Sequence, residues 1–216
     1  QKAENEFVGM NCGIMDQYAS LFGEKDAALF LDCRSLIHQT IPISLDSHRL
    51  LLVDTRVKHS LASTGYNDRR ASCEEGLAVI KKKYPEVIAL RDVTRTMLYE
   101  CQDKLGEDTF IKNMFVVEEI DRAQRAAERL QRKDMQGFGD LMYEAHWGLS
   151  QAYDASCEEL DFLVMLAEED KHQVTGARMM GGGFGGCTID LVAAGQEEAF
   201  KEMVRQICFA TFKKEP

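Results

Sequence analysis

Gly176-Ala177-Arg178-Met179-Met180-Gly181-Gly182-Gly183-Phe184-Gly185-Gly186-Cys187-Thr188 is the most unusual stretch of this sequence, with five glycines among the six residues 181–186. Such a run lets the backbone come close to a ligand or adopt positive φ. Its successive N–H groups can also form an anion-binding nest. No Gly-Lys-Ser/Thr follows, so this is not a Walker-type phosphate loop, and the GxGxxG-then-acid pattern of a dinucleotide site is missing. A tight, packed connection between strands explains the same composition equally well. Residues 187–192 read as a strand, and a last helix starts near Gln196.

Upstream of the glycines the pattern is mostly helical. Ser156 with Glu159 reads as a capping box ahead of Leu160, Leu163 and Val164. Phe138, Leu141, Met142, Ala145 and Leu149 form one amphipathic stripe, and Val116, Ile120, Ala123, Ala127 and Leu130 form another. Cys73, Leu77, Ile80 and Tyr84 share a face of a run that Pro85 stops. These stripes predict core. Nearer the start, 50–53 reads as a buried strand opening a new unit, and 27–33 and 36–43 as two strands around the turn Cys33-Arg34-Ser35. Asn11 can cap a helix running to Phe22, with Gly23 ending it. Ile14, Tyr18, Leu21 and Phe22 then share a face, and Asp16, about 200° around from Ile14, points away from it. Strands and helices mixed without a βαβ rhythm predict an α+β fold.

The chain has 216 residues and a net charge of −10, which disfavours nucleic acid as a partner because phosphate contacts need clustered Lys and Arg. No apolar run is long enough to cross a bilayer. The seven cysteines are odd in number and form no CxxC pair, so they read as buried thiols of a reducing compartment, by default the cytoplasm. Gln1 is not an initiator residue and informative pattern begins almost at once, which predicts a piece of a longer protein.

Few residues suggest chemistry. Asp16, early in its helix and off the apolar face, can take the proton of a substrate hydroxyl, although a solvated Asp near a helix N-terminus is common. Gly13 would offer an uncovered N–H at the positive helix end. Glu4 can serve a hard cation such as Mg²⁺, or be an exposed acid. Tyr66, in Ser63-Thr64-Gly65-Tyr66-Asn67, can hydrogen-bond a ligand from a loop, or have no role. His38, His48, His59, His146 and His172 show no ligand spacing and read as structural or surface residues.

Taken together, four segments resemble the galactokinase branch of the GHMP kinase family, in order and over nearly the whole chain. Residues 4–17, Glu-Asn-Glu-Phe-Val-Gly-Met-Asn-Cys-Gly-Ile-Met-Asp-Gln, are similar to the stretch carrying that family's catalytic aspartate. Leu31-Asp32-Cys33-Arg34-Ser35 resembles its next strand and turn. Val57-Lys58-His59-Ser60-Leu61, with Tyr66 and Arg69-Arg70, resembles its sugar-contact loop. Residues 176–188 resemble the third family motif.

The resemblance implies an ATP- and Mg²⁺-dependent kinase phosphorylating the anomeric hydroxyl of galactose. It makes Asp16 the base, or the acid that orients that hydroxyl. Gly13 and Tyr66 become sugar contacts, Glu4 a Mg²⁺ ligand, and Gly181, Gly182 and Gly183 part of the loop shaping the active site. It further implies that residues 1–45 close an N-terminal, ribosomal S5-like lobe. Residues 46–216 would be the C-terminal lobe, an antiparallel sheet backed by helices. The family's N-terminal sugar motif and its ATP-phosphate motif are not in this sequence, so these residues alone are expected to be inactive and to self-associate through an apolar face. The tail from Phe209 departs from the family pattern. A sister kinase for N-acetylgalactosamine or galacturonate, or a non-catalytic galactose sensor, shares the same resemblance.

Overall fold

A computed structural model of the chain describes residues 1–9, 11–57 and 62–213. The chain opens with a π-helical segment, Glu4–Val8, and helix α1, Met15–Phe22. A hairpin follows, β1 Ala27–Asp32 paired antiparallel with β2 Ile37–Pro42. Strand β3, His48–Asp54, leads to α2, Ala62–Lys83, which stops ahead of Pro85 as expected. A short helix α3, Arg95–Tyr99, is capped by Thr94. The long helices α4, Glu107–Gln131, and α5, Met135–Gln151, come next, then α6, Glu158–Glu169. Strands β4, Val174–Met179, and β5, Cys187–Ala193, precede the last helix α7, Glu197–Phe212.

The main sheet is antiparallel in the order β3-β5-β4. One face is covered by helices: Tyr143 of α5, Leu163 and Val164 of α6 and Phe200 and Val204 of α7 bury Val174, Ala177 and Val192. Helices α2, α3 and α4 share a second cluster around Ile80 and Leu98. The hairpin packs on α4 through Ile41, Ala127 and Leu130. These contacts give the predicted α+β fold, an antiparallel sheet backed by helices. Helix α5 comes close to β4 because the meeting residues are Gly139 and Gly176. A Cβ on Gly139 would overlap the Thr175 carbonyl, and one on Gly176 would overlap the Gly139 backbone.

Some local expectations are corrected. Helix α1 begins at Met15 rather than near Asn11, and no side chain caps it. Asn11 instead donates its backbone N–H to Asn67 Oδ1 at 3.1 Å. Of the apolar stripe on α1 only Tyr18 is buried, and Leu21 is 78% exposed. Ser156 and Glu159 form no capping box, since α6 starts after Cys157 without a side-chain cap. Cys33 is exposed, although all seven cysteines are free thiols and Cys101 and Cys208 are buried. Among the described histidines, His146 is buried, His38 bonds Tyr18, and His48 Nε2 lies 2.9 Å from Thr175 Oγ1. His59, with Lys58, Ser60 and Leu61 of the sugar-loop resemblance, lies outside the described residues.

Candidate active site

The glycine run is the loop joining β4 to β5, closed by a hydrogen bond from Met180 N to the Cys187 carbonyl at 2.9 Å. Its second half is anchored. Phe184 packs beside Ala155, Leu160 and Met179, and Phe184 N donates to the Ala155 carbonyl at 2.8 Å. Gly183 sits at φ 85°, and a Cβ there would overlap the same carbonyl. Only glycine fits both demands. The first half is different, because Gly181 and Gly182 are exposed. The packed-connection reading therefore describes Gly183 to Gly186, while Gly181 and Gly182 leave backbone open to a ligand.

Tyr66 is on the first turns of helix α2, not in a loop. Its ring lies against Gly182, 3.6 Å from where a Cβ would stand. Helix α2 can start this close to the glycine loop because Gly65 offers no side chain to the Phe184 ring. Arg69, one turn on, fixes the arrangement. Its guanidinium donates to the Tyr153 and Asp154 carbonyls at 2.7 Å and lies 5.7 Å from the Phe184 ring centre.

Asn67 ties this corner to the N-terminal segment. Its amide donates to the Gly9 carbonyl at 3.1 Å and accepts from Asn11 N at 3.1 Å. The chain then runs through Gly13, which is exposed and two residues ahead of α1 rather than in its first turn. Asp16 follows as the second residue of α1, exposed as expected. Tyr18 holds that helix to the hairpin, with its hydroxyl 3.1 Å from the Leu36 carbonyl and 2.7 Å from His38 Nδ1. Met15 lines the same cavity as Met180 and Gly181.

Asn67 thus ties the segment ahead of Gly13 and Asp16 to helix α2, whose Tyr66 lies on Gly182, and Met15, next to Asp16, lines the same cavity as Gly181. Glu4 lies half-buried in the π-helical segment. No group of three metal-binding side chains gathers among the described residues, around Glu4 or elsewhere. Asn67 escaped the sequence reading because its two bonds span more than fifty residues.

Residues 126–210 match the family described as GHMP kinases C terminal. Along its whole length the chain is 40% identical to a galactokinase of Thermotoga neapolitana, spanning 59% of that protein. It is 44% identical to human galactokinase over 90% of this chain and 48% of the human one. The crystal structure of Lactococcus lactis galactokinase complexed with galactose superimposes with a TM-score of 0.93 at 31% identity, over all of this chain and 55% of that one. The crystal structure of L. major mevalonate kinase in complex with R-mevalonate shares the fold over 84% of this chain and 45% of that one, at a TM-score of 0.51 and 22% identity.

Residues 126–210 are a GHMP kinase C-terminal domain. Over its full length the chain is similar to galactokinases, of which it spans about half to three fifths.

Proposed function

We propose that this chain supplies the C-terminal portion of a galactokinase, which transfers the γ-phosphoryl group of ATP to the anomeric hydroxyl of galactose. The observation that carries the reading is the Asn67 bridge. It joins the segment leading to Asp16 to the helix whose Tyr66 lies on Gly182. Three segments that resemble galactokinase motifs therefore meet at one corner.

In this reading Asp16 takes, or orients, the proton of the anomeric hydroxyl, from the exposed N-terminal turn of α1. Tyr66 hydrogen-bonds the sugar, and the exposed backbone of Gly13 adds a contact. Gly181, Gly182 and Gly183 shape the loop over the reacting groups. Mg²⁺ would neutralise phosphate charge when bound, with Glu4 as its carboxylate from this chain, and most of the rate would come from positioning and charge stabilisation. Residues 1–45 would close the N-terminal lobe, and 46–216 would form the C-terminal lobe. The free thiols support a cytoplasmic setting.

The test is a chimera in which this chain replaces the aligned 59% of the Thermotoga neapolitana galactokinase. The chimera should turn over ATP in the presence of galactose, and residues 1–216 alone should not. A folded chimera with no galactose-dependent turnover, or one that prefers N-acetylgalactosamine or galacturonate, overturns the reading.

A further inference from the structure

A cavity of about 600 Å³ lies between the sheet and helices α1, α4 and α5. Met15, Ile43, Leu50, Phe138, Met142 and Leu191 make its wall almost entirely apolar. Two guanidinium groups also line it, and their circumstances differ. Arg122 of α4 is paired with Glu119 and lies 3.5 Å from Glu144. Arg178 of β4 donates Nε to the Met179 carbonyl at 3.1 Å, and it forms no ion pair with any carboxylate among the described residues.

Burial works against the charge on Arg178, and the pull of Glu119 offsets this only in part. An arginine stays protonated all the same. A desolvated charge without a partner is costly, and such charges are normally matched. The planar fork of a guanidinium matches the two oxygens of a carboxylate. An apolar cavity with one unmatched cation in its wall is complementary to an apolar body that carries one acid.

We propose that this cavity receives an apolar polypeptide segment bearing a single carboxylate, with Arg178 as its counter-ion. The segment would come from the part of a galactokinase-length enzyme beyond the span of this chain. That choice of source rests on the function proposed above, whereas the preference for a carboxylate does not. The cavity rim supports a polypeptide occupant, because Met15, Leu50 and Met180 stand 61%, 42% and 43% exposed around it. The relatives also carry enough further chain, since this one spans only 55% of the Lactococcus lactis enzyme.

Decanoate and 1-decanol are suitable probes, titrated calorimetrically into residues 1–216 and into the chimera. The chain alone should bind decanoate about tenfold or more tighter than decanol, as a charge-assisted bidentate contact allows. Arg178→Met should erase that preference, and Arg178→Lys, which keeps the charge and guards against a misfolded Met variant, should retain part of it. The chimera should bind neither probe, because its own segment fills the cavity. Equal affinities for acid and alcohol, no binding to the chain, or an unchanged preference in Arg178→Met overturns the carboxylate site. Decanoate binding to an active chimera as tightly as to the chain alone overturns the polypeptide source and assigns the site to a free acid. A dimer of the chain that decanoate dissociates assigns it to a second copy instead. A folded but inactive chimera counts against the proposed function and leaves the result on the chain alone standing.

Discussion

Asp16 and Tyr66 make different demands on the same sugar, and substitution separates them. In the chimera, Asp16→Asn keeps the size and most of the hydrogen bonding of the side chain but removes its charge. If Asp16 takes a proton in the transition state, kcat falls about 100-fold or more while KM for galactose changes little. A near-normal kcat would refute the base assignment and leave Asp16 an orienting role. Tyr66→Phe removes one hydrogen bond to the sugar, so its effect belongs mainly in KM, at about 0.5–1.5 kcal/mol. Its ring would keep its place against Gly182. Legibility was uneven at this scale. Asp16 stood out through the resemblance of residues 4–17, since periodicity alone leaves it a solvated acid near a helix start. Gly13 was placed in the wrong local structure because α1 starts at Met15, four residues beyond Asn11, whose backbone N–H goes to Asn67. A side chain's partner across the fold is what periodicity cannot reveal.

Among the elements, the tightest dependence is between α5 and β4. Gly139→Ala would drive a methyl group into the Thr175 carbonyl. The helix or strand must shift, and overpacking of this kind costs about 1–3 kcal/mol. Chemical denaturation of residues 1–216 should show the unfolding free energy falling by that amount, and an unchanged value would mean that α5 can slide on the sheet without cost. The same contact explains why β4 was hard to read. Its sequence, Val-Thr-Gly-Ala-Arg-Met, has a glycine and an arginine where a strand pattern calls for bulk. Its glycine is there for the helix rather than for the strand. By contrast, the hairpin, β5 and the stop of α2 at Pro85 were legible, and β3 was legible as a strand though not as the buried one expected, since turn residues, apolar runs and proline act locally while burial is set by the rest of the fold. The start of α2 was not. Ser-Thr-Gly ahead of Tyr66 reads as a loop, and Gly65 is needed there because Phe184 crowds the helix.

For the molecule as a whole, much apolar surface is uncovered: Phe7 is 92% exposed, Leu21 78% and Ile37 70%. Residues 1–216 should therefore self-associate in sedimentation at high concentration, and a monomer throughout would show that this surface is tolerated. Stability measured in dilute solution should depend on pH through two buried groups of opposite sign. Asp190 on the central strand accepts from Thr188 Oγ1 at 2.7 Å, but burial raises its carboxyl to about 7. Because the folded chain holds this proton more tightly than the unfolded one, its contribution is complete below the ordinary carboxylate value of 3.8 and is lost as pH rises toward 7. His146 is the reverse case. Its Nδ1 accepts the Met179 N–H at 3.1 Å, which puts the ring proton on Nε2, 3.2 Å from Asp161. Burial pushes His146 below its ordinary 6.5, so its contribution is complete above that value and is lost as pH falls beneath it. The exposed carboxylates of Asp32 and Asp92, held down chiefly by Arg91 and Arg34, lose their contributions only in stronger acid. Between about pH 5 and 6.5 the two buried groups therefore oppose one another, and urea midpoints should vary little. Asp190→Asn keeps an acceptor for Thr188 and removes the titration, so its midpoint should climb with pH across that window. His146→Gln should do the opposite, its midpoint falling toward pH 7 as Asp190 is forced to ionise. If both variants keep the flat profile of the parent, neither group carries the pH dependence, and the buried carboxyl and imidazole must titrate alike in the folded and unfolded chains.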